Sequence, residues 1–165
     1  DIEGVPAHIF GAQLEPKLTG TPGEIIAIKH GALCKATIDG AIWIRQAKTK
    51  AIPGLAPIKL PAEYLAKHIF SSHKIAALNT AGEQGSYQDI KVDIQDTVAY
   101  VYFDFYNGAA STEQCQRLVA CLKEVKAGPS KIVVLMGGEN FFSNGIHLNT
   151  IEAAADPALG PMAAT

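Results

Sequence analysis

The chain has 165 residues, 48% hydrophobic and 18% charged, with a formal net charge of -2 and a mean hydropathy of +0.12. That balance supplies apolar material for a core, carries too little charge for a disordered chain, and lacks the basic excess of an electrostatic nucleic-acid binder. No apolar run approaches the roughly 20 residues that span a bilayer. The scattered cysteines Cys34, Cys115 and Cys121 suit neither a disulfide framework nor a zinc site, so buried or free thiols in a reducing cytoplasm are expected.

The first third reads as short strands joined by turns. Ala7–Gly11 supplies one strand, and Gly20-Thr21-Pro22-Gly23 is a turn. Two apolar runs follow, Glu24–Ile28 and Ala32–Ile38, punctuated by His30-Gly31. Asp39-Gly40 is the strongest hairpin signal, since both central residues of a type I′ turn need positive φ. Beyond it Ala41–Arg45 is rich in β-branched and aromatic residues, with Trp43 expected in the core. Such a meander predicts a small barrel or a strongly bent sheet.

Pro53, Pro57 and Pro61 disfavour regular structure from Lys50 to Pro61. A short helix is predicted over Ala62–Phe70, and Ser71–Ser86, small and polar, reads as an interdomain linker. The last part changes character. Ile90–Ile94 alternates as a half-buried strand, and Val98–Phe105 is its hairpin partner, with Tyr100, Tyr102 and Tyr106 along a strand edge. Ser111 and Gln114 form a capping box for a helix whose face is Cys115, Leu118, Val119, Leu122 and Val125, ended by Gly128-Pro129. Ile132–Met136, continuously apolar, reads as a strand buried on both faces. The order is β-β-α-β.

That strand feeds Gly137-Gly138-Glu139-Asn140-Phe141-Phe142-Ser143-Asn144-Gly145-Ile146-His147. Glycines at the carboxyl end of a strand, just before a helix, can present backbone N–H groups to a ligand or a developing oxyanion. The spacing fits neither a P-loop nor a dinucleotide fingerprint, and on spacing alone a structural turn fits it better. Glu139 reads as a solvated loop carboxylate before an acid or base. His8, His30, His68 and His73 are isolated, without metal-site spacing.

Phe142-Ser143-Asn144-Gly145-Ile146-His147-Leu148 resembles the Phe-Ser/Ala-x-Gly-x-Asp-Leu segment of the enoyl-CoA hydratase/isomerase (crotonase) superfamily, with His147 where the family usually has aspartate. The resemblance implies that Ile146, following Gly145, gives an oxyanion-hole N–H to an acyl-CoA thioester, and that Asn144 and His147 lie beside coenzyme A. Gly20–Ile26, His30-Gly31-Ala32 and Thr37–Ile44 resemble the C-terminal barrel of formyltransferases that use 10-formyltetrahydrofolate. The two together, with the tract Phe103–Cys115, are similar to hydrogenase-maturation proteins of the HypX/HoxX type.

The resemblances imply a mixed α+β and α/β chain in three parts. Residues 1–61 would form a formyltransferase-like β-barrel, 62–86 a helix and linker, and 87–165 the first β-β-α-β unit of a crotonase-like acyl-CoA domain. They also imply a cytoplasmic enzyme that passes the formyl group of 10-formyltetrahydrofolate to coenzyme A and forms carbon monoxide via formyl-CoA. Hydrogenase-maturation machinery would be its partner, with no role for nucleic acid, membrane or metal. The chain reads as a fragment, with the folate domain, second oxyanion donor and acidic catalytic residues outside it and no complete active site within. Ordinary hydratase or isomerase chemistry, and a non-enzymatic barrel module, are the competing readings.

Overall fold

The computed structural model describes residues 1–55 and 57–153. It is a mixed α/β chain in two compact units, Asp1–Tyr87 and Gln88–Thr165. The first unit holds β1 (His8–Glu15), β2 (Ile25–Lys29), β3 (Ala32–Ala36), β4 (Ala41–Lys48), β5 (Leu60–Pro61), α1 (Glu63–Ile69) and α2 (Ser72–Glu83). Its sheet runs β1-β4-β3-β2, with β5 also pairing β4. All pairings are antiparallel. The long β4 is the organising strand: β1 runs beside it throughout, while β3 takes Ala41–Ile44 and β5 takes Gln46 and Ala47.

The left-handed hairpin turn falls elsewhere than the Asp-Gly signal suggests. His30 and Gly31 have φ of 51° and 82° and join β2 to β3, with Lys29 opposite Ala32. That is the two-residue geometry that matches strand twist. The β3–β4 hairpin instead uses a four-residue loop, in which Thr37 N–H donates to Gly40 O at 2.8 Å and the Thr37 hydroxyl to Asp39 at 3.0 Å. A longer loop spreads the reversal over more residues, and neither Asp39 nor Gly40 has positive φ.

The stretch read as a linker is largely helical. Ser71 caps α2 by accepting the Lys74 N–H, and α2 lays Ile75, Leu78 and Gly82 toward the fold. A side chain on Gly82 would collide with the Ile28 carbonyl oxygen. The small residues that suggest a flexible linker therefore let the helix backbone approach β2. Beyond α2, Lys29 Nζ donates to Gly85 O at 2.9 Å, and Tyr87 stacks on Trp43 at 5.4 Å. Trp43 is fully buried with Ala27, Ala32, Cys34 and Ala41.

A buried carboxylate joins these parts. Glu15 Oε2 accepts Trp43 Nε1 at 2.7 Å and the Ser86 N–H and hydroxyl, while Oε1 accepts the Lys17 and Leu18 N–H groups. Burial opposes the charge, yet the hydrogen bonds from Trp43, Lys17 and Ser86 outweigh it and hold the pKa at about 2. Burial, reinforced by the Glu15 charge, pushes the neighbouring Cys34 thiol up to about 12.

The second unit holds β6 (Ile90–Gln95), β7 (Val98–Phe103), α3 (Thr112–Ala127), β8 (Ile132–Met136) and α4 (Leu148–Glu152). β7 is central, antiparallel to β6 and parallel to β8, so its tyrosines lie inside the sheet and not along an edge. The Ser111–Gln114 capping box forms in both directions. Asp89, buried, accepts from Arg117 and Gln114 and so ties the entry of β6 to α3.

Two expectations about burial fail. Within the helix face, Val125, Leu118 and Leu122 pack on Ala99 and Val101, whereas Cys115 is exposed and Val119 is half-exposed. β8 is not buried on both faces, since Ile132, Val133 and Leu135 are exposed. Among the described residues it pairs only with β7, and the core under α3 takes in β7 and Ile90 at the start of β6 but leaves the rest of the flanking strands open. An apolar run alone cannot separate a central strand from an edge strand.

Candidate functional site

The loop after β8 folds back on itself. A Cβ on Gly137 would lie 2.5 Å from the Phe142 Cα and 2.7 Å from the Phe141 carbonyl oxygen, so the strand exit needs glycine there. Phe142 sets its ring edge-on to Phe103 at 5.2 Å, anchoring the loop to the end of β7.

The far half of the loop is held by backbone. A 3-10 turn at Tyr106–Gly108 places Asn107 and Gly108 at φ of 55° and 69°. Asn144 N–H donates to Gly108 O at 2.7 Å, Ala110 N–H to Gly145 O at 2.9 Å, and His147 N–H to Ala110 O at 2.9 Å. The segment 108–110 thus forms a short parallel pairing with 144–147. Gly145 sits at φ 84°, where only glycine is unstrained. Sequence reading singled out the tract around Asn107 but not its part in bracing this loop. The Asn107-Gly108 dipeptide, which tolerates left-handed φ, was the available signal.

Of the residues singled out, Asn144, Gly145, Ile146 and His147 are contiguous and held by this bracket. Asn144 and Gly145 are exposed, Ile146 is 49% exposed, and His147 is buried. Its carbonyl oxygen accepts the Thr150 N–H and hydroxyl. The pairing uses the N–H groups of Asn144 and His147 but skips that of Ile146, which makes no hydrogen bond within the described residues. An N–H fixed by bonded neighbours on both sides, in an exposed residue, is available to an acceptor from outside the chain. Glu139 is exposed on the same loop, in keeping with a solvated carboxylate. No group of three or more His, Cys, Asp or Glu suited to a metal ion occurs among the described residues. No helix there is long and apolar enough to cross a membrane.

No family model matches the chain. It is 35% identical over 153 residues to the hydrogenase maturation factor HoxX of Bradyrhizobium diazoefficiens, covering 92% of this chain and 25% of that protein. Among solved structures, HypX from Aquifex aeolicus in complex with tetrahydrofolic acid matches 97% of this chain and 28% of that one, at 35% identity and a TM-score of 0.83. A variant of the same HypX matches 97% and 28%, at 36% identity and a TM-score of 0.81. The chain spans about a quarter of the length of these proteins.

Proposed function

For a chain similar over nearly its whole length to hydrogenase-maturation proteins of the HypX/HoxX type, we propose that it is part of an enzyme that moves a formyl group from 10-formyltetrahydrofolate to coenzyme A and releases carbon monoxide from the formyl-CoA formed. In this reading residues 1–61 are the formyltransferase C-terminal-like barrel, and 87–165 begin a crotonase-like acyl-CoA domain. The intervening 62–86, largely helical, belong to the first compact unit and lead the chain into the second. The first step exchanges the folate N–C bond for a C–S bond, giving formyl-CoA and tetrahydrofolate. The second breaks that C–S bond, the formyl hydrogen passing to sulfur to return the thiol as carbon monoxide leaves.

Ile146 N–H then donates to the thioester carbonyl oxygen, where negative charge develops. Gly145 sets the backbone turn that aims it, and Asn144 and His147 flank coenzyme A. The observation that supports this most is the uncommitted Ile146 N–H between two bonded neighbours. A backbone donor of this kind does not need the aspartate that the superfamily usually carries where His147 stands. Maturation machinery of a NiFe-hydrogenase in the cytoplasm is the partner this reading assigns.

The test supplies the full-length protein with 10-formyltetrahydrofolate and coenzyme A and follows both products. Formyl-CoA and carbon monoxide are expected. Absence of both, or folate-independent turnover of an unsaturated acyl-CoA, overturns the reading in favour of ordinary hydratase or isomerase chemistry.

A further inference from the structure

In the first unit, the N-terminal segment and the end of β4 form a cleft of about 810 Å³ lined by Pro6, His8, Phe10, Lys48, Thr49 and Lys50 among others. Among the described residues no carboxylate lines it. His8 stands directly opposite Lys48 in the β1–β4 register. Two nitrogen donors therefore face each other where a sheet would favour opposite charges or an apolar pair. Neither Lys48 nor Lys50 has an ion pair or hydrogen bond within the described residues. A further ammonium, Lys59 Nζ, lies 4.9 Å from the centre of the Phe10 ring.

The walls are tied together. Thr49 is buried, donates its hydroxyl to the Pro6 carbonyl oxygen at 2.6 Å, and accepts the Ala51 N–H at 3.0 Å. This fixes Lys48 and Lys50 on either side of an anchored residue. The volume falls within the roughly 300–1,000 Å³ of small-molecule sites.

From the two lysines that line this cleft, the absence of carboxylates among its described lining residues and the aromatic ring, we infer that it binds a small nucleotide-type anion, its phosphates held by Lys48 and Lys50 and its flat base packed by Phe10. Ammonium groups grip phosphate by charge-assisted hydrogen bonds, and the ring supplies an apolar surface for a heterocycle.

Calorimetric titration of the whole 165-residue chain with adenosine diphosphate, pyrophosphate and adenosine tests this. Saturable one-to-one binding of the diphosphate is expected, weakened by added salt. Lys48→Ala with Lys50→Ala should weaken it by about tenfold or more, while Lys48→Arg with Lys50→Arg should retain it. Phe10→Leu should weaken the diphosphate and leave pyrophosphate unchanged. The inference is overturned by absence of saturable binding, or by equal losses in a Lys123→Ala/Lys126→Ala control on α3. Full affinity of the Lys48/Lys50 alanine variant also overturns it. None of these outcomes bears on the glycine loop, so the formyl reading stands or falls separately.

Discussion

The two units spend similar apolar sequence on sheets of different completeness. In the first, β2, β3 and β4 are mostly buried, with Leu33 and Trp43 fully so, because α2 and the chain beyond it close over the sheet. In the second, α3 lies over β7 and buries Ala99 and Val101, while the flanking strands stay open. Val92 and Leu135 stand opposite Val101 in β6 and β8 and so share the face α3 packs on, yet they remain 42% and 43% exposed. One helix covers one central strand. Hydrophobic stabilisation scales with area removed from water, so the same residue types contribute unequally in the two units.

The largest test of that contrast is Trp43→Ala. It removes a fully buried ring stacked on Tyr87 and strips a donor from Glu15, so a loss of about 3–5 kcal/mol is expected in denaturant unfolding followed by circular dichroism. A loss under about 1 kcal/mol would erase the distinction. Glu15→Gln is next, at about 3 kcal/mol near neutral pH. The folded carboxyl, at about 2, lies below its usual value near 4.5, and each unit of difference is worth about 1.4 kcal/mol. A depressed acid stabilises fully above its unfolded value and loses that contribution as pH falls toward its folded one. The wild type should therefore weaken between about pH 4.5 and 2 by more than the variant does, and parallel acid profiles would exclude Glu15 as the source. In the second unit, Ser111→Ala breaks the capping box and should cost about 1 kcal/mol. A thermal melt resolved by unit would show this as a shift of the second transition only.

Much of this contrast was legible in residue order and little of it in composition. The strands of both units other than β5, the α1 segment, the capping box and the buried Trp43 follow from periodicity and local chemistry, whereas Leu60–Pro61 pairs with β4 inside a stretch whose prolines argue against regular structure. Partner count does not: Ile132–Met136 reads the same whether one strand or two flank it. The helix at Ser72–Glu83 was hidden because its packing depends on small residues, Gly82 against Ile28 above all, and small residues also mark linkers. At the candidate site, positions 144–147 stood out by resemblance. Their bracing by 108–110 is backbone pairing between segments far apart in sequence, which side-chain pattern does not encode.

The smallest effect is the most discriminating. Leu135→Ser replaces a branched apolar side chain in mid-strand, and in a closed sheet such a change would cost several kcal/mol through lost burial and an added hydroxyl. Here the side chain is already 43% exposed, on a strand paired along one edge only among the described residues. The expected change in the unfolding free energy of the 165-residue chain is therefore within about 1 kcal/mol, measured by the same denaturant titration as Trp43→Ala. Solubility should rise, since an exposed strand of apolar residues is an aggregation template and a polar residue interrupts it. A loss comparable to that at Trp43 would mean that something covers β8 in solution. The second sheet would then be as complete as the first, and the contrast between the units would be one of partner and not of packing.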